Sequence, residues 1–336
     1  MKKRWIIASV ILLAAAIVAI LMYYLDNKKS SEKAPEFVLL YAENQTENYP
    51  TTLGGKKFAD LVYERTDGRI KIQIKYGAEL GSESSVINQM KYGGVAFARV
   101  SVSQLAERIP EMNVLLLPYL YDDSAHMWRV LEGNIGDQFL EKAGNYDLVG
   151  LSWYDAGARN FYSSDKPITS VEDCEGMNIR VQESTMMADM ISALGANPVE
   201  IVYSDVYSAL EQGIVDAAEN NWPSYESMNH YKVAKYYTID EHVRVPEMQI
   251  CSEAVWNMLS DSDKEIIKEC AEESALYERQ LWIQREERSK KKAIESGTLV
   301  TTLTAEEKKK FRDAMSDVYE KYCGDDMDLV REIIDY

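Results

Sequence analysis

Histidine is almost missing from this chain. Its three histidines, His126, His230 and His242, stand in no catalytic pairing that spacing reveals, so chemistry that leans on an imidazole has little to draw on. Cysteine is scarce too. Cys174, Cys251, Cys270 and Cys323 are far apart, with no CxxC pair and no histidine cluster nearby, which argues against zinc or a redox centre. One disulfide and four buried thiols remain equally open readings. Basic charge is the third shortage: 37 lysines and arginines face 55 acids, for a net charge of −18. A polyanion partner needs a basic footprint, so nucleic acid is excluded as a partner. Nor does the chain contain a GxSxG, Walker A, GxGxxG, HExxH or EF-hand pattern. An enzyme reading therefore lacks an anchor, and no cofactor or metal is expected.

What is present begins with "MKKR" and the uncharged run Trp5 to Leu25. As a helix these residues would rise about 30 Å, enough to span a bilayer, and the preceding basic residues hold the amino end inside. Residues 1–25 are expected to be a signal anchor or a cleaved signal peptide. No convincing cleavage site follows, which weighs toward an anchor. Residues 26–36 read as a polar tether that places the rest of the chain outside the cytoplasm. Residues 1–36 carry a net +3, leaving −21 on the remainder. An anionic ligand must then be held locally against a repulsive global field.

From "FVLLY" at Phe37 the pattern alternates strand and helix. "RIKIQIKY" alternates as a half-buried strand, "ELGSESSVINQMKYGG" reads as a helix closed by glycines, and "VAFARVSVSQL" as the next strand. "VLLLPYLY" and "YDLVGLSWYDAGARNFYSS" read as strands or crossings, and the rhythm restarts at Thr169. Two βα successions imply an α/β protein with mostly parallel sheets and two similar lobes, the second centred on about 160–250. Ser260 to Asp263 cap a long helical run whose charges are most simply a solvated face.

Three arginines fall at strand or strand-end positions. In "GMNIRVQES" the alternation puts Arg180 on one face with Asn178 and Gln182; Arg159 follows a glycine in "DAGARNFYSS"; Arg99 shares a strand face with Ser101. Each alone reads equally as a solvated or ring-stacked group. Together, in an acidic protein, they suit bidentate pairing with a carboxylate. Asn220 and Asn221 precede Trp222-Pro223 and fit a turn, although paired amides also suit hydroxyl-rich ligands. Glu43 and Glu83 are acidic candidates that read equally as exposed carboxylates or caps. Glu43 with Tyr203 is the weak acid–base pair that an exported lyase or hydrolase would need.

The blocks "ERTDGRIKIQIKYGAELGSESSVINQMKYGGVAFARVSVSQLAERIPEMNVLLLPYLY", "GLSWYDAGARNFYSSDKPITSVEDCEGMNIRV", "ALGANPVEIVYSDVYSALEQGIVDAAENNWPSYES" and "KVAKYYTIDEH" resemble a TRAP-transporter substrate-binding protein of the DctP type over residues 36–330. The resemblance implies a two-lobed periplasmic-binding-protein-like fold over 37–330, with a ligand cleft between the lobes and a long C-terminal helical region. It implies capture of a small organic acid and delivery to TRAP permease membrane subunits, without chemistry. It carries the substrate-carboxylate arginine onto Arg180, and further contacts onto Arg159, Asn220 and the covering aromatic Tyr203, with Glu83, Arg99 and Ser101 lining the pocket. "DAAEN" replaces the usual DGQEN, and Ala96 a frequent aspartate. "YDAGARNFY", "AENNWPSYE" and "FARVSVS" resemble the sugar-acid branch, which suggests a hexuronate. A C4-dicarboxylate is the alternative, with Arg99 as its second cation, and a ligand sensor feeding a signalling receptor is another.

Overall fold

The computed structural model describes residues 34–336 and Ile17. Trp5 to Leu25 otherwise lies outside the described residues, and among those residues no helix is long and apolar enough to cross a membrane. The eleven described strands form two sheets. One has the order β2-β1-β3-β10-β4, from β1 (Phe37–Ala42), β2 (Ile70–Lys75), β3 (Phe97–Ser101), β4 (Leu148–Tyr154) and β10 (Glu247–Ser252). The other has the order β11-β9-β5-β8-β6-β7, from β5 (Ala158–Ser163), β6 (Asn178–Val181), β7 (Asn197–Glu200), β8 (Ala217–Asn220), β9 (Tyr236–Arg244) and β11 (Leu299–Thr302).

The sheets are mixed where the alternating rhythm implied mostly parallel ones. β1 runs parallel to β2 and β3, and β6 parallel to β7 and β8, as strands joined by crossover connections do. The chain crosses from β4 to β5 through Asp155-Ala156-Gly157 and returns from β9 to β10 through Val245-Pro246. β10 pairs antiparallel with both β3 and β4, and β5 antiparallel with both β8 and β9. Gly157 holds a φ of +60°, and a Cβ there would meet Glu286 Oε1 at 2.9 Å, so glycine is needed both for the turn and for the approach to the long helix. "VLLLPYLY" is not a strand: Pro110–Leu116 is a 3₁₀ segment with its apolar side chains in the core. An apolar run without alternation fits any buried element, and this one is placed by packing.

The helix Asp261–Glu295 has 35 residues and is about 50 Å long. Ser260 Oγ caps it by accepting from Asp263 N at 3.1 Å. It runs along both lobes. Glu273 pairs with Lys57 and Arg65 of the first, and Arg285 and Lys292 pair with Glu226 of the second. At the crossing, Glu278 Oε2 accepts from Asp155 N at 2.9 Å. The expected solvated face is therefore partly a spine. The four cysteines are buried free thiols.

Candidate functional site

The first-lobe loops after β1 and before the helix Glu83–Met90 meet the second-lobe segments after β6, β7 and β8. Between them lies a cavity of about 180 Å³ lined by Asn44, Glu83, Gln104, Arg180, Gln182 and Tyr203 among others. Toward the crossing strands a deeper recess of about 30 Å³ shares Asn44, Glu83, Gln182 and Tyr203 and adds Gln45, Tyr49, Thr51, Arg159, Asn220, Asn221 and Trp282. The lobes touch on both sides of it. Ser103 Oγ donates to Gln182 Oε1 at 3.1 Å, Gln104 Nε2 to the Glu183 carbonyl at 2.9 Å, and Thr185 N to Glu107 Oε1 at 2.7 Å. On the other side Tyr49 Oη lies 2.9 Å from Ser224 Oγ and 3.3 Å from Asn221 Oδ1. The arrangement is that of a closed cleft.

The three arginines occupy different electrostatic settings. Arg99 spends all five of its N–H groups internally. Nε donates to Glu43 Oε2 at 3.2 Å; Nη1 donates to Glu83 Oε1 at 2.6 Å and Glu247 Oε2 at 2.8 Å; Nη2 donates to Glu43 Oε1 and Asn44 Oδ1. Arg159 pairs bidentately with Glu219 and reaches Asn220 Oδ1 from Nη1 at 3.1 Å, leaving one N–H on Nη1. Arg180 faces no carboxylate. Its Nε and Nη2 donate to the Ile201 carbonyl at 2.9 and 2.6 Å, and its buried Nη1 has no partner.

β6 explains this placement. It lies between β7 and β8 with both faces covered, so the period-2 pattern buries Ile179 and Val181 on one side and Arg180, 2% exposed, on the other. Burial lowers the Arg180 pKa from its ordinary value, with Glu219 opposing and Arg159 adding to the fall. An uncompensated buried guanidinium is costly, and an incoming carboxylate removes that cost.

Asn220 and Asn221 present donors for a geometric reason. Asn220 Oδ1 accepts from Arg159 and from Asn221 N at 2.9 Å, and Asn221 Oδ1 accepts from Ser224 N at 2.8 Å, capping the helix Trp222–Ser227. Their carbonyls are occupied, so each amide nitrogen remains for the pocket. The recess is also lined by Tyr203, Trp282, Gln45 and Thr51, whose Oη, Nε1, Oε1 and Oγ1 are buried without partners. A cleft with one unpaired cation and an interleaved set of donors and acceptors is chemically suited to an anion carrying hydroxyls.

Glu219 is anchored from behind. Attraction to Arg159 and to the His242 ring, whose Nε2 lies 3.6 Å from Glu219 Oε2, outweighs burial and holds its carboxyl down at about 2. His242 stacks on Phe161 at 4.4 Å and bonds Asp240 Oδ2 at 2.7 Å, and these acids raise it to about 9 despite burial. Glu247 goes the other way: burial, with Glu83 and Glu43 beside it, outweighs Arg99 and pushes it up to about 8. These shifts set a pH profile. Glu219, depressed on folding, contributes stability above about pH 4.5 that is lost as pH falls toward 2. Glu247, elevated on folding, contributes stability below about pH 4.5 that is lost as pH rises through about 8. Glu286, raised by burial to about 7, acts in the same alkaline direction. The melting temperature of the ligand-free protein should fall by about 5 °C or more between pH 5 and pH 8.5, and Glu247→Gln should flatten that fall. A profile unaltered by Glu247→Gln would remove this residue from the account.

Of the residues singled out by sequence, the structure brings Arg180, Arg159, Asn220, Asn221, Tyr203 and Glu83 to the two cavities. Arg99 reaches the recess wall with no N–H to spare, which corrects its expected part as a second cation. Glu43 lies behind it, 2% exposed, with one oxygen also accepting from Gln45 N at 3.0 Å; it holds Arg99 and cannot act on a group in the pocket. Ser101 bonds Ser103 Oγ at 2.8 Å and meets Gln182 across the lobes, so it belongs to the contact between them. Sequence reasoning missed Gln45, Tyr49, Thr51, Glu247 and Trp282. Glu219 stood inside the quoted "DAAEN" without a role, and Gln182 shared the Arg180 face.

The chain matches the family described as bacterial extracellular solute-binding protein, family 7 (DctP), over residues 41–325, and it belongs to that family. A solute-binding protein of Chromohalobacter salexigens is 33% identical over 288 residues, covering 86% of this chain and 85% of the relative. Among solved structures, a TRAP periplasmic solute binding protein from Bradyrhizobium sp. BTAi1 in complex with α/β-D-galacturonate superposes with a TM-score of 0.86 at 39% identity, over 89% of this chain and 99% of the other. One from Pseudomonas putida F1 with bound D-glucuronate gives a TM-score of 0.86 at 35% identity, over 88% and 96%.

Proposed function

We propose that this chain captures a hexuronate outside the cytoplasm, as the solute-binding component of a TRAP transporter, and hands it to the membrane permease. The observation that carries this reading is Arg180: of the three arginines at the cleft, it alone has no carboxylate partner, and it faces the larger cavity. The ligand carboxylate pairs with Arg180 and takes the remaining N–H of Arg159. The sugar hydroxyls meet the amide nitrogens of Asn220 and Asn221, Tyr203 Oη, Trp282 Nε1 and Glu83. The uronate-bound relatives support the ligand class. Closure buries the pair between the lobes, and no chemistry follows. Where residues 1–25 are not cleaved as a signal peptide, they tether the protein to the membrane through the polar segment 26–36.

A thermal-shift series with D-glucuronate, D-galacturonate, succinate and malate tests the reading. A hexuronate at 100 times its Kd adds about 2.7 kcal/mol and should raise the melting temperature by about 5–10 °C. A response to the C4 acids with none to the uronates would transfer the site to the dicarboxylates.

A further inference from the structure

We infer that the cluster of Arg99 with Glu43, Glu83 and Glu247 makes the cleft selective for a ligand with a single carboxylate and rejects dicarboxylates of similar size. The inference rests on the proposed uronate reading for the identity of the far end of the ligand, but its charge rule stands on the cluster itself.

Glu83 lines the same cavity as Arg180, so a ligand anchored by Arg180 extends toward it. A cation is present there, but it is spent. Arg99 is 2% exposed with all five N–H groups assigned to Glu43, Glu83, Glu247 and Asn44. Glu83 Oε2 accepts from Ser101 N at 3.3 Å, and its Oε1 accepts from Asn44 Nδ2 at 3.0 Å as well as from Arg99. A hydroxyl donates readily to such a carboxylate. A second ligand carboxylate cannot while Glu83 is ionised against Arg99, because both groups then only accept.

Counting charges leads to the same place. Arg99, Arg159 and Arg180 stand with Glu43, Glu83, Glu219 and Glu247 around the cleft, and Asp155 in the recess and Glu183 on the larger cavity add two carboxyls and no cation. Even while Glu247 keeps its proton, raised as it is to about 8, the three guanidiniums do no more than offset Glu43, Glu83 and Glu219. No cation is left over for a second ligand carboxylate, which adds a further negative charge in a site that excludes water. Like charges brought together in a desolvated site are strongly unfavourable.

The test measures affinity by calorimetry for matched pairs on the full protein: D-galacturonate against galactarate, D-glucuronate against glucarate, and succinamate against succinate. The last pair differs by one charge at nearly constant shape. Each dianion should bind about 100-fold more weakly than its monoanion, and Glu83→Gln should narrow the gap about tenfold or more. Glu43→Gln, which removes another of the charges that occupy Arg99, serves as the second variant if Glu83→Gln does not fold. A dianion that binds as tightly as its partner overturns the inference, as does a gap unchanged in a folded variant. Binding of neither uronate, with succinamate still preferred over succinate, would fail the uronate reading and leave the charge rule standing. No binding in any pair would fail both.

Discussion

Arg180→Met should bind the wild-type ligand at least about 100-fold more weakly, while its ligand-free melting temperature stays at or above that of wild type. The two halves of this result have one cause. Arg180 is 2% exposed and makes only carbonyl contacts, with Nη1 unpartnered. In the free protein its charge is buried with no carboxylate hydrogen-bonded to it and mainly the field of Glu219 opposing its desolvation, a cost that a methionine of similar length does not incur. In the complex the ligand carboxylate supplies the missing partner, and truncating one side of a buried, hydrogen-bonded charge pair costs about 2–5 kcal/mol. Arg180→Lys should also weaken binding, since an ammonium does not reproduce the bidentate fork. Calorimetry and melting curves on the same samples check both halves. A variant that loses several degrees of stability and keeps its ligand would show Arg180 to be structural.

Arg99→Met should do the reverse, lowering the melting temperature by about 10 °C with a loss far smaller at pH 5 than at pH 8. Removing this side chain strands three buried carboxyls that share it, Glu43, Glu83 and Glu247, and breaking a buried ion pair from one side costs about 3–5 kcal/mol. For a domain of this size each kcal/mol moves the midpoint by about 2–4 °C. Acid restores part of the loss because burial already biases Glu83 and Glu247 toward their protonated forms, and protonated carboxyls no longer repel. Two arginines on interior strands thus take opposite parts. A loss of stability that is the same at pH 5 and pH 8 would show that lost packing, not stranded charge, is responsible.

The sequence distinguished these two side chains poorly. Arg99 and Arg180 each stood in an apolar strand with polar residues on the alternate face, and the pattern offered both as partners for a ligand. The difference lies in neighbours distant along the chain. Glu247 is 148 residues from Arg99, and reaches it because β10 returns antiparallel beside β3 with Glu247 opposite Ser101. Nothing local to either segment records that register. Trp282 sat among the charges of a long helix and read as part of a solvated run. It lines the recess because that helix passes behind the crossing at Gly157.

Local periodicity and turn chemistry determined the alternation of strands and helices, the restart near residue 169, the cap of the long helix at Ser260 and the face that Arg180 shares with Asn178 and Gln182, because these depend on residues a few positions apart. The ordered blocks determined the family. Tertiary structure alone decided that the sheets are mixed, that the carbonyls of Asn220 and Asn221 are consumed internally, and which arginine remains unpaired. Those outcomes depend on strand order, register and lobe contact, and an ion pair or an orphaned donor exists only once segments far apart in sequence have been brought to within about 3 Å.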